Sequence, residues 1–138
     1  MASMIEMTLE LAERAARAAL SHAKAKNVAI TVTVVDEAGR LVLTMRGNGT
    51  GFLTPETSKA KAVAAAAFRR PTLELAGMHA GNPFWSALPA VSSGTAMPTG
   101  GAVPIRSGGR VIGAIGCAGG THEEDHECAS AGAAALDG

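Results

Sequence analysis

Over residues 7–26 apolar side chains recur every three to four positions, with Leu9, Ala12, Ala16, Ala19 and Ala23 on one stripe. Glu10, Glu13, Arg14, Arg17, Lys24 and Lys26 are left for the opposite side, so the period predicts an amphipathic helix capped by Thr8. At residue 28 the period changes. Residues 28–35 are rich in β-branched side chains with Thr31 and Thr33 alternating, Asp36-Glu37-Ala38-Gly39 is a turn signal, and residues 41–45 return as a partner strand. Residues 46–51 read as a glycine-rich loop without the Lys-Ser/Thr of a phosphate loop. Thr54-Pro55 then sets a cap before a proline at the first helical position, and an alanine-rich helix continues to Phe68, where Arg69-Arg70-Pro71 stops it. Residues 72–79 predict a short helix, residues 81–89 a loop holding Trp85, and residues 95–97 a short strand.

The last forty residues carry the densest pattern. Residues 102–106 and 111–117 are apolar runs joined by Ser107-Gly108-Gly109-Arg110, which predicts a second hairpin. Gly119-Gly120 breaks its second strand, and Thr121 with Glu124 three residues on forms a capping-box signature, so a helix begins at once. Cys128, Ala131, Gly132 and Ala135 give that helix a small-residue face able to approach a sheet closely. Strands that arrive as local hairpins between helices predict an α+β fold, mainly antiparallel, in one domain over residues 1–138.

Charge narrows the partners. Lys+Arg and Asp+Glu each number 12, so no long-range field draws in nucleic acid or an acidic membrane, and aromatics at 3% leave no stacking platform for single strands. No apolar run predicts a secretion signal or a membrane span, and the expected location is cytoplasmic, with Cys117 and Cys128 as free thiols. The expected ligand is small and anionic: Gly100-Gly101 and Gly119-Gly120 permit close backbone approach, the start of the last helix offers N–H donors, and Lys61, Arg69 and Arg70 offer carboxylate clamps. His79 is the candidate general acid or base, with Arg70 and Glu124 beside it in a catalytic reading. His122-Glu123-Glu124-Asp125-His126 matches H-E-x-x-H and places two imidazoles one turn apart, which makes His122 and His126 candidate ligands for a divalent metal, although no third ligand is evident.

Several short runs in order, Lys59-Ala60-Lys61-Ala62, Phe68-Arg69-Arg70-Pro71, Gly100-Gly101-Ala102-Val103-Pro104-Ile105, Val111-Ile112-Gly113-Ala114-Ile115-Gly116 and Asp125-His126-Glu127-Cys128-Ala129, resemble the GlcG/HbpS family, which includes the C-terminal domain of PduO-type proteins. The resemblance implies a profilin-like α-β-α domain with a sheet of about five strands, dimers or larger homo-oligomers, and haem or tetrapyrrole binding in some members. Many relatives sit in catabolic pathways. This chain departs from the pattern at Ala64, where relatives carry a Thr implicated in haem ligation, and His22, His79, His122, Cys117 and Met97 are the possible replacement ligands. The alternative is a cofactor-independent enzyme acting on a small oxo-acid or carboxylate. The Phe84-Trp85 pair and the small-residue helix faces are the expected subunit contacts.

Overall fold

The structure, a computed structural model, describes residues 6–137. Its elements run α1 (Leu9–Ala25), β1 (Thr31–Asp36), β2 (Leu41–Met45), α2 (Thr54–Phe68), α3 (Thr72–Ala76), α4 (Pro83–Val91), β3 (Ala102–Ser107), β4 (Arg110–Ala118) and α5 (His122–Ala134). The four strands form one antiparallel sheet in the order β2-β1-β4-β3. Each hairpin is a local pair, and the two pairs join through β1 and β4, with Val34 opposite Ile115. Pro104, which has no N–H to donate, lies on the edge strand β3.

Both faces of the sheet are covered, which is why β1 is buried at five successive positions instead of alternating. Val32, Val34, Ile105, Ile115 and Cys117 pack under α1 and α5, whereas Val35, Ala102 and Ala114 pack under α2. The two threonines of β1 turn to α2: Thr31 and Thr54 share a hydrogen bond of 2.7 Å, as do Thr33 and Ser58. Small residues let the layers close up. A Cβ added at Gly132 of α5 would lie 2.7 Å from the Ala15 carbonyl oxygen of α1, so the small-residue faces of these helices are used against each other within the chain.

Three expectations are corrected. Among the described residues the sheet has four strands, not about five, because residues 95–97 do not join it; Met97 N donates to Ala60 O on α2 instead. Residues 81–89 are not a loop: Asn82 accepts from Phe84 N and starts α4 with Pro83 in its first turn. The short helix after Pro71 ends at Ala76, leaving His79 in the turn that leads to α4. Among the described residues no helix is long and apolar enough to cross a membrane.

Candidate functional site

The strand-to-helix junction between β4 and α5 is built around a buried ion pair. Lys61, from the middle of α2, places Nζ 3.0 Å from Asp125 Oδ2, and the same ammonium donates to the Cys117 carbonyl at 3.1 Å. Asp125 Oδ1 accepts from Gly120 N at 2.9 Å. The side chains are 5% and 1% exposed. Gly101 makes room for them: its φ is +140°, and a Cβ there would meet Cys117 O at 2.7 Å and Lys61 Nζ at 2.9 Å. A Cβ on Gly100 would lie 3.0 Å from His122 Cβ, so both glycine pairs and Lys61 do converge on the start of α5. Gly119, with φ +135°, packs its α-carbon against the Ala29 carbonyl.

The chain's own carboxylates take up the donors of this junction. Gly120 N bonds Asp125, Thr121 N bonds Glu124 Oε1 at 2.9 Å, and Glu124 N bonds Thr121 Oγ1 at 3.1 Å, which completes the capping box. An anion at the helix start is therefore already present, and it is Asp125.

Arg70 and His79 sit elsewhere, at the far end of α2. Arg69 adopts a left-handed conformation, φ 60°, that ends the helix, and its carbonyl accepts from Arg106 Nη2 at 3.1 Å. Arg70 is exposed and directs Nη1 to Met78 Sδ at 3.4 Å, beside His79. The His79 imidazole stacks on Trp85 with ring centroids 5.0 Å apart, and Trp85 meets Phe68 and Phe84 at 5.3 and 4.9 Å. His79 Nε2 and Trp85 Nε1 are both buried without a hydrogen-bond partner. Unpartnered buried nitrogens are uncommon and call for an explanation.

A family model described as haem degrading protein HbpS-like matches residues 7–134. The chain belongs to the HbpS-like family. A Citrobacter freundii protein described as an uncharacterized 15.0 kDa protein in the dhaT-dhaS intergenic region is 30% identical over 119 residues, 86% of this chain and 84% of the relative. The crystal structure of a double mutant of Streptomyces reticuli HbpS is 32% identical, covers 100% of this chain and 92% of its own, and superposes with a TM-score of 0.88. A crystal structure of a PduOC–haem complex is 26% identical, covers 96% of both chains and gives a TM-score of 0.85.

Within this HbpS-like chain the remaining candidate ligands are scattered. Ala64 has no donor and is fully buried beside Leu88 and Ala96. Cys117 is fully buried, out of reach of a ligand in this structure, and burial together with the neighbouring Cys128 and Asp125 pushes its thiol well above the ordinary range. His122 is exposed on the first turn of α5; His126 is half-buried with Nδ1 lacking a partner. Among the described residues no group of three or more His, Cys, Asp or Glu side chains is arranged to hold a metal ion. His22 lies 3.8 Å from Glu127 Oε1, at an open cleft of about 250 Å³ lined also by Lys26, Val28, Glu124 and Cys128.

The sequence marked Arg70 and His79 but not what joins them. Phe68, Met78 and Trp85 do so, and the one available signal was the clustering of the chain's few aromatics between residues 68 and 85.

Proposed function

We propose that the protein binds haem or a related tetrapyrrole, at the corner formed by His79, Trp85, Phe84 and Arg70. The observation that carries this reading is the His79 imidazole, held by stacking on Trp85 with its Nε2 buried and unpartnered. Leaving such a nitrogen unmet costs about 1–3 kcal/mol, a cost that a metal bond removes. The corner fits the group on three counts. His79 Nε2 would hold the iron, Phe84, Trp85 and Met78 would supply an apolar surface, and the Arg70 guanidinium would suit a propionate carboxylate. Support also comes from the relative crystallised with haem, whose chain matches this one almost end to end. When bound, haem would supply redox and ligand-exchange chemistry at iron. The protein's part would be to orient the His79 imidazole by its stacking on Trp85, to offer Phe84 and Trp85 as apolar surface and to meet a carboxylate with Arg70.

The test is a hemin titration of the purified protein followed in the Soret region. A saturable, red-shifted band is expected; a featureless response that grows linearly with added hemin removes the reading.

The pairing of Arg70 with the Met78-His79 corner also favours a second reading, in which the same residues clamp and protonate a small oxo-acid. Glu124 would take no part in it, because its carboxylate is committed to Thr121 N. Self-association is part of the proposal. With the small faces of α1 and α5 consumed internally, Phe52 at 82% and Leu53 at 57% exposure form an adjacent pair of open large apolar side chains at the start of α2. Two free buried thiols suit a reducing, cytoplasmic setting.

A further inference from the structure

The two unpartnered ring nitrogens of the His79 corner belong to a turn and a helix that are fastened to the fold unusually lightly. Of the nine residues of α4 only Leu88 is buried, seated against Ala64 and Ala96. The α4 backbone hardly approaches any other helix or strand. Its polar contacts are its own: Asn82 Oδ1 accepts from Phe84 N at 3.1 Å, Gly94 N donates to Pro89 O at 2.8 Å, and Thr95 Oγ1 donates to Ser92 O at 2.6 Å. Among the described residues, every hydrogen bond made by residues 82–96 closes within residues 79–96, and no ion pair touches them.

The segment is bracketed by turns in the left-handed backbone region. Gly81 has φ 71°, and Ser93 and Gly94 have φ 54° and 75°. Beyond the second bracket the chain is tied down again, where Met97 N bonds Ala60 O. A helix that caps itself, hangs between glycine turns and is held by one aliphatic side chain and one aromatic cluster can move as a body at small cost to the rest of the fold. Its inner side covers Ala64 and contributes Trp85, which lies against His79.

We infer that α4 is a lid over the His79 corner, closed in this structure, which swings about Gly81 and about Ser93-Gly94 to open His79 Nε2 to a flat aromatic ligand. The ligand's identity rests on the haem reading; the motion is a property of the ligand-free chain. The closed state lowers apparent affinity in proportion to the fraction of time the lid is open, so loosening it should speed binding.

Hydrogen exchange on the ligand-free protein tests the motion directly. Amides of α4 are expected to exchange roughly 100-fold or more faster than those of α2 and β4, through an opening that leaves the latter protected. Leu88→Ala should accelerate α4 exchange further and raise acrylamide quenching of Trp85, the chain's one tryptophan, while protection in α2 is unchanged. Hemin should associate faster with Leu88→Ala than with the parent. Exchange of α4 in step with α2, Trp85 quenching unaffected by Leu88→Ala, or equal association rates for the two proteins would each overturn the lid. An α4 that opens as described in a protein giving no saturable Soret change would uphold the motion and remove haem as its ligand.

Discussion

Lys61 and Asp125, 64 residues apart in sequence, meet as a buried ion pair of 3.0 Å that ties α2 to the first turn of α5. Each partner has a second hydrogen bond, Lys61 to Cys117 O and Asp125 from Gly120 N, so neither charge depends on the pair alone. Removing one partner strands the other in the interior. Lys61→Met is therefore expected to cost about 3–5 kcal/mol in urea unfolding, and Lys61→Met with Asp125→Asn to cost less than the sum of the single changes by on the order of 1–3 kcal/mol. Additive losses would show that the two side chains do not act together.

Gly101→Ala should destabilise by more than about 1 kcal/mol, since alanine is strained at φ +140° and its methyl would press on Lys61 Nζ and Cys117 O. A thermal melt matching the parent protein would contradict the close approach.

Much of the fold was legible because its signals are local. Thr8 and the Thr121–Glu124 box cap their helices as read, and both hairpins close over short turns. Thr54-Pro55 marks a third helix, although Thr54 is not its cap: Leu53 holds that position without a side-chain bond, and the Thr54 hydroxyl turns to Thr31 and Gly51 O instead. The helix α4 was hidden by prolines at both ends of residues 81–89, although Asn82-Pro83 is itself a helix start. The extra strand at residues 95–97 failed on a tertiary fact, the pairing of Met97 N with a helix carbonyl, which no local pattern encodes. The site was legible only as residue types. Lys61 and the glycine pairs read as a ligand cradle, but a carboxylate of the same chain, Asp125, fills it, and one sequence does not say which anion a lysine meets.

The thiols should be inert in the native state. Burial, assisted by the carboxylates of Asp125, Glu127 and Glu124, raises Cys128 to about 11, and Cys117 is raised well beyond its usual value by burial above all. Near pH 8 both stay protonated. Labelling with a disulfide reagent should be slow until denaturant is added, when two thiols react; rapid native labelling would contradict the packing of β4 against α5.

Asp36 sets an acid limb. Burial works to raise its pKa, but the Arg40 and Ala38 N–H groups and the Arg40 guanidinium outweigh it, so the carboxyl lies below its ordinary value. A lowered folded pKa contributes stability that is complete above the unfolded value and is lost as pH falls through the folded one. Asp36→Asn should thus weaken the fold at about pH 7 and hardly at all near pH 2, as read by denaturant midpoints; an equal loss at both would contradict the assignment.

Self-association is expected through the start of α2. Light scattering should give at least twice the 13.8 kDa chain mass, falling to one chain in Phe52→Ser with Leu53→Ser. A parent protein of 13.8 kDa would contradict it.

The most direct test of the central claim compares hemin titrations of the parent protein with His79→Ala and His22→Ala. The account predicts a saturable Soret band at one haem per chain in the parent and in His22→Ala, and its loss in a folded His79→Ala. An unchanged Soret band in His79→Ala would contradict the assignment of the site to the His79 corner.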